Sequence, residues 1–253
     1  MTDVYLEYSE KGFYLAKGLL DKSLIDITTK SLKKHFDNQL SLLQQSIPDN
    51  LYASMKQLHK LDIERYKKTT GSLWRKISLY NLLHHDLIQS YVGKHFGFDE
   101  IVIPGGQVIH IQAESLKIPN GYFGFNPHQD YPSVQGSLDG FVVWIPLVDI
   151  DKNKYPLEVI PSSHKNGVLP SIEKDTGWEI KPEYYNEKDF IPLECQVGDV
   201  VFMSTFTVHR SSQTGDDRLR IACSTRYDNA DEISFIERCY PSAYIRTVHR
   251  EKM

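Results

Sequence analysis

The spacing of apolar residues changes character near residue 100, and that change limits the folds open to this 253-residue chain. Before it, apolar positions recur at helical intervals. Leu24, Ile25, Ile27, Leu32, Phe36, Leu40, Leu42 and Leu43 form one amphipathic stretch that starts after Asp21 and stops before Pro48. A second helix is predicted over about Leu51–Lys68, and a third over about Asn81–Phe96, with Gly97 placed to end it. The lysines at 30–34 and 67–68 read as solvated faces of these helices. After residue 100 the chain breaks into short β-type runs bounded by Gly, Pro, Asn and Asp: Ile101–Ile103, Gln107–Ala113, Phe141–Leu147, Leu157–Ile160, Phe190–Glu194, Val200–Phe202 and Leu219–Arg226. Strands at that density, with no helices between them, predict an antiparallel sandwich or jelly roll rather than a parallel α/β sheet. With no repeat or flexible linker in view, residues 1–253 read as one domain. About 1–100 would be helical support and about 101–253 a β-sandwich core.

Charge and cysteine usage narrow the function. Hydrophobic residues make up 40% of the chain and the net charge is −4, an ordinary balance for a globular protein and a poor one for binding nucleic acid. Cys195, Cys223 and Cys239 are odd in number, widely spaced and without a CxxC pair, so reduced thiols are expected rather than a disulfide framework. No signal peptide and no run long enough to span a membrane is visible, which makes cytoplasmic placement and a small-molecule partner the expectation.

Three segments could carry chemistry. In Phe125-Asn-Pro-His128-Gln129-Asp130-Tyr131-Pro132 an imidazole and a carboxylate stand two positions apart in what reads as extended chain, where they would share a face. With 10 histidines present, a chance His-x-Asp match is expected, and a second occurs at His84-His85-Asp86. That one falls inside the third helical pattern, where residues two apart diverge, so it reads as helix surface. The first match gains weight from Gly198-Asp199-Val200-Val201-Phe202, a turn into a buried strand, with His209 just beyond and Arg220 on a further β-type run. Two histidines and a carboxylate with open positions are the ligand set of oxygen-activating non-haem Fe(II), and an arginine nearby offers a fork for a dicarboxylate. On the Gln107–Ala113 strand Val108, His110 and Gln112 share one face, a polar choice that makes sense if the strand lines a site.

These residues, the opening Tyr8-x-x-x-Gly12-Phe13 with Gly18-Leu19-Leu20, and the Asn153…Val159-Ile160-Pro161-Ser162-Ser163-His164-Lys165-Asn166-Gly167 segment resemble the phytanoyl-CoA dioxygenase family of Fe(II)/2-oxoglutarate-dependent oxygenases. The last stretch departs from the family's Pro-Gly-Ser-His turn in having Ser162 where Gly is usual. The resemblance implies a double-stranded β-helix (jelly roll, cupin-like) core, mainly β, packed against N-terminal helices. It places the metal ligands on His128, Asp130 and His209, and the far carboxylate of 2-oxoglutarate on Arg220. Ser211 would bond that carboxylate, Gln112 would face iron and cosubstrate, and Trp144 would wall their pocket. The implied reaction takes O2, converts 2-oxoglutarate to succinate and CO2, and hydroxylates an unactivated C–H bond of a small metabolite. The carboxylate of Asp130 separates such enzymes from related halogenases, which lack it.

Competing assignments follow from the same residues. His164 is a rival third ligand in a Ser- and Asn-rich turn. Arg218 shares a face with Arg220 by period 2 and reads as a surface charge beside Asp216 and Asp217. Arg226 lies on that face too, as a substrate contact or a surface ion pair, and Tyr131 with the loop through Ser137 is placed to cover substrate. A cupin-like non-redox metalloenzyme and a non-catalytic β-sandwich binding module are the alternative functions.

Overall fold

The structure, a computed structural model, describes residues 2–119, 121–174 and 177–244. Its first element, α1 (Asp3–Lys11), starts where the Thr2 side chain accepts a hydrogen bond from the Tyr5 amide. It ends at Gly12, whose φ is +80° and where an added Cβ would lie 2.4 Å from His164 Nδ1. Strand β1 (Phe13–Ala16) follows, then α2 (Lys22–Leu42), capped by Asp21 and burying Ile25, Leu32, Phe36 and Leu40. The expected helix over Leu51–Lys68 is two helices, α3 (Leu51–Leu61) and α4 (Ile63–Thr70). Asp62 divides them: its amide still bonds to the Leu58 carbonyl, its backbone is extended, and its carboxylate accepts from the Arg65 amide to start the next helix. The third expected helix is also split, into α5 (Ile77–Leu83) and α6 (Asp86–Phe96). His85 caps α6 by accepting from the Leu87 amide, so His84-His85-Asp86 sits at a break rather than within a helix.

The remaining elements are β2 (Ile101–Val102), β3 (Val108–Gln112), α7 (Tyr131–Val134), β4 (Phe141–Pro146), β5 (Leu157–Val159), β6 (Ser171–Lys174), β7 (Gly177–Ile180), β8 (Ile191–Leu193), β9 (Val200–Ser204), β10 (His209–Ser211), β11 (Arg220–Asn229) and α8 (Ile233–Glu237). A six-stranded antiparallel sheet runs β1-β9-β4-β11-β2, with β3 also paired to β11. A three-stranded sheet runs β10-β5-β8, and β6 and β7 form a hairpin. The expected β-runs are all present with ends shifted by a few residues, whereas β1, the β6–β7 hairpin and β10 carried no readable strand pattern.

The central strands β4, β9 and β11 of the large sheet are buried on both faces, and period-2 alternation sorts their residues. Phe141, Val143, Ile145, Val200, Phe202, Ile221 and Cys223 join the helices' Leu32, Phe36, Leu58 and Leu83 in one core. Val142, Trp144, Val201, Met203 and Ala222 face the other way and pack with Leu157, Val159 and Leu193 of the small sheet. Arg220, Ser224 and Arg226 of β11 alternate onto this second, inter-sheet face. Among the described residues no helix is long and apolar enough to cross a membrane. Cys195 and Cys223 are buried, Cys239 is exposed, and none is in a disulfide.

Near the far end of β11, Asp228 is fully buried, with one carboxylate oxygen accepting from the Ser137 amide at 3.0 Å. Gly136 and Gly140 allow this approach: a Cβ on either would lie 2.0 or 2.6 Å from the same oxygen. Burial raises the Asp228 pKa from 3.8 to about 7. Between those values the folded chain holds a proton that the unfolded chain has lost, so stability falls as pH rises from about 4 through 7. The slope is up to about 1.4 kcal/mol per pH unit. Asp228→Asn is expected to flatten this fall in a denaturant titration series across pH; an unchanged slope would remove Asp228 as its source.

Candidate functional site

The site begins with a two-way backbone bridge. The His128 amide donates to the His209 carbonyl and the His209 amide to the His128 carbonyl, each at 3.0 Å. The bridge fixes the segment before α7 to β10 and sets the two imidazole rings 4.1 Å apart, centroid to centroid. The chain does not continue as a strand to Asp130, as its spacing suggested. Asp130 has helical backbone angles (φ −76°, ψ −29°) at the head of α7, and this bend, rather than strand alternation, turns its carboxylate toward the histidines. Asp130 Oδ2 lies 3.7 Å from His209 Nε2, and one ligand atom from each of His128, Asp130 and His209 falls within 4.8 Å of the others.

Hydrogen bonds set the protonation of the rings. Nδ1 of His128 meets the Asn126 carbonyl at 2.7 Å and Nδ1 of His209 meets the Thr207 carbonyl at 3.0 Å. A carbonyl only accepts, so each Nδ1 carries the proton and each Nε2 keeps a lone pair for a metal. Burial lowers the His209 pKa to about 3 and lowers that of His128 as well, which keeps both rings neutral. For Asp130 burial acts the other way, and the charge of Arg226, which also hydrogen-bonds the carboxylate, overcomes it and holds the carboxyl below its usual range. Two neutral imidazoles and one carboxylate are what a divalent transition metal requires. Asp130 Oδ2 is buried with no hydrogen-bond partner, an arrangement that costs free energy unless something binds there.

A second set of unpartnered groups lies along the same inter-sheet face. Arg220 opens β11 opposite Gln112 of β3 and is 1% exposed, yet its Nε and Nη1 have no partner. Burial lowers its pKa only to about 10, so it stays cationic at neutral pH. The guanidinium sits 5.6 Å from the ring of Trp144, which is itself buried with its Nε1 unpartnered. Gln112 Nε2 donates to the Phe123 and Ser212 carbonyls at 3.2 Å, leaving Oε1 free of partners, and Ser211 Oγ accepts from the Phe125 amide. A buried cation without an anion, beside a metal-type triad, fits a ligand that brings a carboxylate. Trp144, Ser211, Arg220, His128 and His209 line one narrow cavity. A larger one of about 430 Å³ opens on the other side of His128 and Asp130, walled by Trp74, Phe125, Val134 and Trp178.

The rival assignments separate cleanly. His164 bonds the Ser9 carbonyl and packs against Gly12, a structural role away from the triad. Ser162 adopts the left-handed conformation (φ +63°) that a glycine usually takes, and its hydroxyl donates to the Glu10 carbonyl. Arg218 precedes β11 and is exposed, ion-paired with Asp151 and Asp216; Asp217 turns instead to Lys56. Tyr131 stacks on Phe206, while Ser133 and Val134 of α7 line the larger cavity. Arg226 is not a surface ion pair: it bonds the candidate metal carboxylate itself, Nη2 to Asp130 Oδ1, at 2.6 Å, and it also lines the larger cavity. Gln129, between the two candidate ligands, ties the Gly167 and Phe206 carbonyls and accepts from the Leu169 amide.

The sequence profile of the phytanoyl-CoA dioxygenase (PhyH) family matches residues 8–222. The chain belongs to the phytanoyl-CoA dioxygenase family. A relative from Oryza sativa subsp. japonica, phytanoyl-CoA dioxygenase 1, is 35% identical over 161 residues, 61% of this chain and 49% of that protein. The chain spans about half or less of the length of the relatives it matches. Among solved structures, the epimerase SnoN in complex with Fe3+, alpha-ketoglutarate and nogalamycin RO shares the fold with a TM-score of 0.60 at 15% identity, covering 90% of this chain and 82% of that one. The non-heme alpha-ketoglutarate-dependent carbocyclase SnoK from nogalamycin biosynthesis does so with a TM-score of 0.61 at 14% identity, covering 91% and 85%. The chain therefore shares its fold with these alpha-ketoglutarate-dependent enzymes.

The unpartnered guanidinium has a thermodynamic consequence. Arg220→Met removes a buried charge while filling a similar volume, and is expected to raise the Tm of the ligand-free protein by about 2–4 °C for each kcal/mol recovered. Differential scanning fluorimetry without ligand checks this; a lower Tm would mean that Arg220 is satisfied by the protein itself.

Proposed function

We propose that this chain is a single-domain Fe(II)- and 2-oxoglutarate-dependent oxygenase, jelly-roll in its β core, that hydroxylates an unactivated C–H bond of a small molecule. The observation that carries the reading is the pairing of a three-residue metal-type cluster, two of whose members line the narrow cavity, with a buried, charged and unpartnered arginine lining the same cavity. In this reading His128, Asp130 and His209 hold the iron. Arg220 binds the far carboxylate of 2-oxoglutarate with Ser211 beside it, Trp144 walls that end, and Gln112 presents Oε1 to the metal and cosubstrate. When bound, iron and 2-oxoglutarate supply the oxidising power, with O2 consumed as the cosubstrate becomes succinate and CO2.

The chain's own contribution is placement and exclusion of water. The backbone bridge between the two histidines and their Nδ1 bonds to carbonyls fix the ligand set before anything binds. Arg220 needs no reorganisation, since Trp144 and the sheet already hold it. Substrate would enter the larger cavity, whose aromatic and aliphatic walls suit a ring or hydrocarbon face. Asn126 and Glu179, joined at 2.8 Å, give one side a polar edge that suits a hydrogen-bond donor. SnoN and SnoK are named as an epimerase and a carbocyclase, so the fate of the oxidised carbon is what separates hydroxylation from other outcomes.

The test is succinate release from 2-oxoglutarate across a metabolite panel with Fe(II) and ascorbate, with 18O2 labelling of the product. One labelled oxygen in the product is expected. Asp130→Ala should abolish succinate formation, and retained turnover with iron bound would refute the triad. Arg220→Ala should raise the 2-oxoglutarate requirement tenfold or more, corresponding to about 1.4 kcal/mol or more of lost binding, while Arg218→Ala leaves it in place. Equal effects would reopen the choice of arginine.

A further inference from the structure

One strand supplies two guanidinium groups to the inter-sheet face. Arg220, Ala222, Ser224 and Arg226 of β11 alternate onto the same side, with Arg220 opposite Gln112 on β3 and Arg226 opposite Val142 on β4. Arg220 ends in the narrow cavity; Arg226 lines both that cavity and the larger one. Its side chain is 13% exposed and that of Asp130 6%. Nη2 holds Asp130 Oδ1 at 2.6 Å, Nη1 reaches Ser224 Oγ at 3.4 Å, and Ser224 Oγ meets His110 Nε2 at 3.0 Å. The arginine is therefore tied to the sheet at one end of its fork and to the carboxylate at the other.

The two oxygens of Asp130 are treated differently by this contact. Oδ1 is occupied by a short charge-assisted hydrogen bond, whereas Oδ2 is buried without a partner and is the oxygen 3.7 Å from His209 Nε2. We propose that Arg226 is a positioning residue that restricts Asp130 to coordination through Oδ2 alone. The inference rests on the metal reading of the triad given above. Its consequence is a coordination position kept open. Were a metal held by one atom from each of His128, Asp130 and His209 and by a two-oxygen cosubstrate, a second oxygen of Asp130 would compete for the position that O2 needs. Because Arg226 also walls the larger cavity, a molecule bound there touches the same group that orients the metal ligand.

The test is vibrational and needs no turnover. Infrared difference spectra of Zn2+-loaded minus metal-free protein, with the aspartate carboxyl carbons 13C-labelled, report the separation between asymmetric and symmetric carboxylate stretches. That separation is wide for one-oxygen and narrow for two-oxygen coordination. Wild type is expected to show the wide separation, Arg226→Gln the narrow one, and Arg226→Lys a return toward wild type. The variants are prepared with Zn2+ present, so that the metal supplies the charge that Asp130 would otherwise lack. Failure of wild type to bind Zn2+ at the triad would sink the metal reading itself. A narrow separation in metal-loaded wild type, or a wide one retained in Arg226→Gln, would overturn the role of Arg226 alone. An Arg226 that merely balances the metal-free carboxylate would lower the Tm of metal-free Arg226→Gln and leave the loaded spectrum unchanged, which also overturns the proposal.

Discussion

The reciprocal backbone bond between His128 and His209 is the contact on which the rest of the site depends. It joins a segment that belongs to no strand to the edge of the small sheet, where β10 is already held by β5. With the bridge in place, the bend at Asp130 and the short helix α7 follow, and the carboxylate arrives beside the imidazoles without any side chain needing to reach. The large sheet then completes the arrangement. Its inner face, packed over the small sheet, carries Arg220 and Arg226 on one strand and Gln112 on the next. Two sheets of unequal size, pressed together, thus bring four distant parts of the sequence within one cavity.

That arrangement is expensive in the absence of ligands. Asp130 Oδ2, Gln112 Oε1, Trp144 Nε1 and two nitrogens of Arg220 are buried without partners; Trp144 and Arg220 line the narrow cavity, Asp130 lines the larger one, and Gln112 pairs with Arg220 across the strands. Buried polar groups in native proteins are satisfied as a rule, and a cluster of exceptions marks a place where stability has been given up for binding. The surrounding core offsets the cost. Phe141 alone, fully buried, meets the rings of Tyr8, Phe96, Phe98 and Phe202 on the helical side of the sheet. The helices that precede the β region therefore act as a backing for the sheet, and the polar work is confined to its other face.

Much of this was legible in the residues, and the illegible parts have physical reasons. The change of periodicity near residue 100 and the polar face of the Gln107–Ala113 strand both point the right way, because alternation on a buried sheet is strict. The helix breaks at Asp62 and at His84–His85 were hidden, since each interrupts an apolar pattern that runs on with little change of phase. The β6–β7 hairpin is half exposed and β10 is three residues long, so neither shows a run to read. The two-residue spacing of His128 and Asp130 brings them together only because the chain bends at Asp130, which extended-chain alternation does not report. Period-2 alternation puts Arg226 on the inter-sheet face, but its partner lies 96 residues away, and no spacing rule reports such a contact.

Calorimetric titration of 2-oxoglutarate into the protein, once metal-free and once loaded with Mn2+, tests most directly whether the triad and Arg220 form one site. The account predicts binding to the Mn2+ form that is lost or much weakened without metal, because the cosubstrate would be held at one end by the metal and at the other by Arg220. Equal affinity in the two forms, or no binding to the Mn2+ form, would contradict it.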